Sequence, residues 1–254
     1  MEVHHHPHVE KKSFKEYLLE GLMIFLAVTM GFIAENFREH VSDKSKEKEY
    51  LSSLVKELSY DTTEFEKVKT RIFYVRPLLD SLFQNIKDAP RYGYVLKGKW
   101  NTPINEMNLP YVPTMPTIEQ LKSSGSMRLI SNSEIVNHII QYETLIKGTF
   151  MGNVRSSTEA LDILFRLEDK LCDYSDFNKA TDKNLFFRTS KDNLDKIFIY
   201  EMPILFRAPE EMNQLANSVV NYKAVLWGYY TNLNSAKEHA TALMNLVRKK
   251  NDIE

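Results

Sequence analysis

One stretch constrains this chain more than any other: residues 17–37, YLLEGLMIFLAVTMGFIAENF, the only segment apolar enough to leave water. Between Glu20 and Glu35 run fourteen uncharged residues, Gly21 to Ala34. A bilayer span takes about 20 predominantly apolar residues, a length this stretch reaches by taking in both carboxylates. No second uncharged run approaches it. We read residues 1–16 as a His/Lys-rich tail, 17–37 as one transmembrane helix and 38–254 as a helical stalk and bundle domain.

Wound at 100° per residue, Glu20, Ala27, Ala34 and Arg38 fall close to one line, with Gly31 and Glu35 beside them. Ala27 and Gly31 form a small-xxx-small pair, which lets helix backbones approach where lipid offers no hydrophobic drive. Met23, Val28, Met30 and Phe32 give the other side the bulk that suits lipid. The two glutamates leave two main readings. They snorkel to the headgroups at the two ends of the span, or they make polar contacts inside a homo-oligomeric bundle with Arg38. A proton path lined by Glu20 is the outlying third.

Positive charge before the span (Lys11, Lys12, Lys15) nearly balances that after it (Arg38, Lys44, Lys46, Lys48). Short lysine-bearing tails stay in the cytoplasm, so the expectation is a single-pass bacterial inner-membrane protein with a periplasmic C-terminal domain. Phe32 and Ala34 before Glu35 do not make a small-x-small cleavage site, which argues against removal as a signal peptide.

The tail, MEVHHHPHVEKKSFKE, holds His4, His5, His6 and His8. Neutral imidazole is the commonest ligand for zinc, copper and nickel, so these four are the candidate transition-metal site. Neighbouring residues in a tail do not, however, impose a closed tetrahedral geometry. No other cofactor is expected. HHHPHVEKKSFKEYLLEGLMIFLAVTMGFIAENFREH resembles the N-terminal signature of a family of single-pass membrane proteins from Bacteroidota, a domain of unknown function. The later TIEQLKSSGSMRLISNSEI resembles a second stretch of such proteins. The resemblance implies that the histidines are native and the segment membranous, and it supplies no substrate or catalytic residue.

Beyond the span, Leu51, Val55, Leu58, Phe65, Val68, Ile72, Val75, Leu79, Leu82 and Ile86 recur at three- and four-residue steps, with Thr62 in the one polar gap. The charged run before them reads as a solvated stalk, and Pro77 should kink or restart the helix. Residues 89–116 change character. Their prolines and aromatics predict an irregular excursion that packs over helix ends, with a hairpin at YGYVLKGKW. TIEQLKSS predicts a short helix closed by Gly125. Ser131 and Glu134 predict a capping box opening a helix towards Leu171, with Leu161, Leu164, Phe165 and Leu167 on its face. Gly148 and Gly152 mark either close packing or a local break within it. A short helix is expected near Asn193–Tyr200, then an extended piece. From Pro209, the residues Met212, Leu215, Val219, Tyr222, Leu226, Tyr229, Leu233, Ala236, Ala240, Leu243 and Val247 keep a heptad over about forty residues. The fold class is therefore all-α, a transmembrane helix continuing into an elongated helical bundle.

Net charge is −1, so no basic field calls for nucleic acid. The single cysteine, Cys172, excludes an internal disulfide framework. There is no phosphate loop, HExxH, GxSxG, CxxC or calcium-loop pattern, and acid pairs such as Glu168–Asp169 read as solvated faces. His138 and Cys172 read as packing residues. The expectation is a non-enzymatic, membrane-anchored interaction, scaffold or accessory protein, sensory roles included. It would contact lipid, self-associate and hold a protein partner on its helical domain. The alternative is a metal- or proton-handling protein using the histidines and glutamates.

Overall fold

A computed structural model describes residues 13–96, 111–173, 175, 201–205 and 208–251. Among them the protein is helical apart from one short two-stranded ribbon. The chain divides into two units, Met1–Tyr50 and Leu51–Glu254. Helix α1, Phe14–Tyr92, supplies the helix of the first and the opening helix of the second.

In the first unit, Ser13 opens α1 as one half of a capping box, its N–H donating to Glu16 Oε2 at 2.9 Å. From Ser13 to Ser42 every residue except Thr29 is exposed. The Thr29 hydroxyl donates to the Phe25 carbonyl at 2.7 Å, so its polarity is spent within the helix. Beyond the apolar stretch the helix carries i,i+3 ion pairs, Lys46 with Asp43 at 3.7 Å and Lys44 with Glu47 at 3.2 Å.

In the second unit, α1 buries Leu51, Leu54, Leu58, Asp61, Phe65, Val68, Ile72, Val75, Leu79, Leu82, Ile86 and Ala89. Those positions step alternately by three and four, the stripe of a helix that packs along its whole length. Asp61, not Thr62, fills the polar place in it. The helix runs unbroken through Pro77, whose side is exposed and whose missing N–H removes one ladder bond. No restart occurs there. It also passes Pro90 and ends at Tyr92, where Gly93 takes a φ of 89° and turns the chain.

Of the hairpin expected at residues 92–100, residues 97–100 lie outside the described residues, and strand β1 spans Tyr94–Leu96. It pairs antiparallel with β2 (Glu201–Pro203), setting Val95 opposite Met202, both fully buried. On the other side of β2, residues 203–205 bond residues 171–173: Asp173 N–H donates to the Pro203 carbonyl and Leu205 N–H to the Leu171 carbonyl, each at 2.8 Å. The extended piece expected before Pro209 is thus present. The helix expected at Asn193–Tyr200, and Trp100, lie outside the described residues.

Helix α2 (Pro116–Ser123) ends with Gly125 at a φ of 68°, as the sequence predicts, and a 3₁₀ turn, Ser126–Leu129, follows. Helix α3 (Ser133–Leu145) is capped by Asn132 rather than Ser131: the Asn132 Oδ1 accepts from the N–H groups of Glu134 at 2.9 Å and Ile135 at 3.4 Å. A π-helical turn, Ile146–Phe150, joins α3 to α4 (Met151–Leu171). A Cβ on Gly148 or Gly152 would meet nothing within 4 Å, so these glycines mark the break and not a tight contact. Phe165 is more than a third exposed, off the face it was expected to share with Leu161 and Leu164. Helix α5 (Pro209–Asn251) packs on α3, the π turn and α4. All eleven of its predicted heptad residues are buried. Its Gly228 passes Asn153 closely enough that an added Cβ would sit 3.3 Å from Oδ1.

Candidate functional site

One helix among the described residues is long and apolar enough to cross a membrane. Its best 18-residue window has a mean hydropathy of 2.0, and none of that window is buried. Of the residues singled out on it, Glu20, Ala27, Gly31, Ala34, Glu35 and Arg38 are all exposed. The structure brings Glu35 and Arg38 together, with Arg38 Nε donating to Glu35 Oε2 at 3.0 Å and Nη2 closing the second contact. A Cβ on Gly31 would meet nothing within 4 Å, so that face is unobstructed. His4, His5, His6 and His8 lie outside the described residues. No group of three or more His, Cys, Asp or Glu able to hold a metal occurs among those described.

The second unit contains a polar cluster that sequence reasoning missed. Glu57 and Asp61 lie one turn apart on α1 and both accept hydrogen bonds from the chain that crosses them. Tyr111 Oη donates to Asp61 Oδ1 at 2.5 Å, and Tyr142 Oη, from α3, donates to Oδ2 at 2.8 Å. Thr117 donates to Glu57 through its hydroxyl at 2.5 Å and its N–H at 3.2 Å. Tyr229 Oη, from α5, in turn donates to the Tyr111 carbonyl at 3.1 Å. Between these anchors Met115 sits at φ 51°, a left-handed conformation in a residue that also precedes proline. Such a conformation costs on the order of 1–3 kcal/mol and persists only where its surroundings fix it. Here Glu57 and Asp61 hold the flanks and the Met115 side chain is buried.

The electrostatics follow from burial. Asp61 is 5% exposed, and desolvation pushes its carboxyl above the ordinary range despite the two tyrosine donors. Burial and the neighbouring Asp61 charge push both tyrosines far upward, so the phenolic protons stay in place. The cluster spends the hydroxyls of Tyr111, Tyr142 and Thr117 as donors to two carboxylates. It is a latch, fastening 111–117 and α3 to α1. A cleft of about 460 Å³ opens beside it, bordered by Lys56, Tyr60, Val112 and Thr114.

A pH dependence follows. A folded-state pKa above the unfolded value means that the folded state binds the proton more tightly, so this group's contribution to stability falls as pH rises through that window. Asp61→Asn removes the titration and keeps a planar hydrogen-bonding group. We expect the thermal midpoint of Asp61→Asn, relative to wild type, to rise between pH 3.5 and 7. A difference that stays flat with pH would rule out a buried, titrating Asp61. Glu143 acts in the opposite sense. Burial raises its carboxyl, but Lys122 (2.7 Å) and Lys147 (2.9 Å) outweigh that and hold it low, so its contribution is lost as pH falls. Comparing each variant with wild type at the same pH cancels it.

Two expectations for isolated residues divide. Cys172 is buried and bridges Ile204, and His138 is partly buried with Nδ1 lacking a hydrogen-bond partner among the described residues. Glu168, expected on a solvated face, is instead buried on α4 while Asp169 is exposed. Comparison of the chain with protein-family models, with curated proteins and with solved structures finds no match.

Proposed function

We propose that this protein is a single-pass, membrane-anchored interaction or scaffold protein of the bacterial inner membrane, an accessory or sensory component that works by holding partners. The observation that carries this reading is the exposed apolar window of α1, mean hydropathy 2.0 with none of it buried. Leaving that surface in water would cost about 25 cal/mol for each Å² of apolar area, and lipid removes the cost. The body beyond it is built from long heptad-patterned helices, an architecture suited to presenting surfaces. The lysines of the tail favour a cytoplasmic N-terminus and a periplasmic C-terminal domain.

We further propose that the span self-associates through the Ala27, Gly31 and Ala34 face, with Glu20, Glu35 and Arg38 at its ends. Small residues permit the close backbone approach on which helix pairing in lipid depends. Gly31→Leu should convert oligomer to monomer when the detergent-solubilised protein is run in light scattering or crosslinked in membranes. It should leave the body's thermal midpoint unchanged. An unchanged oligomer would reject this face as the interface.

A further inference from the structure

Within the second unit, α1 and α5 run antiparallel and are joined by a ladder of side-chain pairs. Asp80 is ion-paired with Lys223, the Arg76 guanidinium lies 5.9 Å from the Trp227 ring centre, and Lys69 Nζ lies 5.6 Å from that of Tyr230. Glu66 closes the series, accepting from Lys237 at 2.8 Å. Beside the first two rungs lies a groove of about 280 Å³. Its floor is apolar and buried (Ile72, Leu79 and Leu226), and Trp227 forms one wall. Trp227 is 59% exposed, a large indole left in solvent. Its ring is held by a parallel stack on Tyr230, with centroids 5.3 Å apart and planes 11° from parallel.

The polar groups at the groove are both cations, Arg76 and Lys223. Asp80 neutralises Lys223. Among the described residues Arg76 has no carboxylate partner, only the face of Trp227. One uncompensated positive charge therefore stands at the edge of a small apolar slot. That charge complements a monoanion better than a dianion such as a phosphate monoester. The planar guanidinium fork matches the two oxygens of a carboxylate. The volume, about 280 Å³, lies just below the range of ligand pockets, which run roughly 300–1,000 Å³.

We propose that this groove binds a small apolar carboxylate, its hydrophobic body on Leu226 and Trp227 and its carboxylate on Arg76. The site lies wholly within the second unit and stands or falls independently of the membrane reading. A water-soluble probe avoids partition into lipid: 4-(4-fluorophenyl)butyrate, followed by fluorine NMR against the full chain in phosphatidylcholine nanodiscs, with empty nanodiscs as reference. We expect saturable line broadening that empty discs do not produce and that unlabelled 4-phenylbutyrate reverses. Arg76→Gln and Trp227→Ala, both at exposed positions, should each weaken binding tenfold or more. The neutral 4-phenylbutyramide should compete at least tenfold less well than the acid on the wild-type protein, a comparison that needs no variant to fold. Equal broadening by empty discs, equal binding by Arg76→Gln, or equal competition by acid and amide would overturn the proposal.

Discussion

Arginine in place of Val28 is expected to move the protein out of the carbonate-washed membrane fraction. Val28 lies at the middle of the uncharged run Gly21 to Ala34 and is exposed. A charge at the centre of a spanning helix costs about 2.5–3.5 kcal/mol on insertion scales, and the lost valine adds a few tenths. At 1.4 kcal/mol per decade, insertion becomes roughly a hundredfold less favourable. Most spans would absorb part of that penalty in surplus apolar length. This one has little, because fourteen uncharged residues between two glutamates are already short of the usual 20. Val28→Leu, the same position without the charge, should leave the membrane fraction unchanged. If the arginine variant stays in the pellet at the wild-type level, α1 does not span the bilayer.

The features legible in the sequence were those that a repeating physical demand writes into it. A long apolar run is visible residue by residue, so the exposed apolar stretch of α1 could be found without any structure. Helix packing demands a three-four rhythm, and every apolar residue assigned to the stripes of α1 and α5 is buried. The same rhythm held more than was taken from it. Continued strictly from Leu54 and Leu58, it lands on Asp61 and not on Thr62, and so marks the buried carboxylate of the latch. Its partners, Tyr111 and Tyr142, were not legible, because a hydroxyl that reaches across 50 or 81 residues leaves no period. The ribbon was missed for the same reason: a three-residue strand at Tyr94–Leu96 finds its partner at Glu201–Pro203, and the local turn signal suggested a nearer one. Ser131 lost the cap to Asn132 because both side chains cap well, and only the backbone path selects between them.

The second large effect is expected at Phe150, and the rhythm of buried residues explains why. Along α3 and α4 one buried stripe runs Ile135, Ile139, Tyr142, Ile146, Phe150, Val154, Ser157, Leu161 and Leu164. From Tyr142 to Val154 the steps are four, four and four, one residue more than a regular stripe requires. The π turn Ile146–Phe150 absorbs that extra residue and brings the Phe150 ring to the centre of the body. There it is fully buried, with its centroid 5.7 Å from that of Phe65 on α1 and 5.5 Å from that of Tyr229 on α5. Phe65 also meets Tyr111 at 5.8 Å, so Phe150 and Phe65 together link α1, α5 and the latch. Phe150→Ala removes a buried aromatic whose ring neighbours belong to two other packed helices and have little freedom to close the gap. The cost expected for such a deletion is about 3–5 kcal/mol, and in a body of this size each kcal/mol lowers the thermal midpoint by roughly 2–4 °C. A fall on the order of 10 °C should appear in the detergent-solubilised protein. Phe165→Ala, the same chemical change at a partly exposed site, should move the midpoint far less. If the two alanine variants melt together, Phe150 is not the keystone of this packing, and the π turn serves some other purpose.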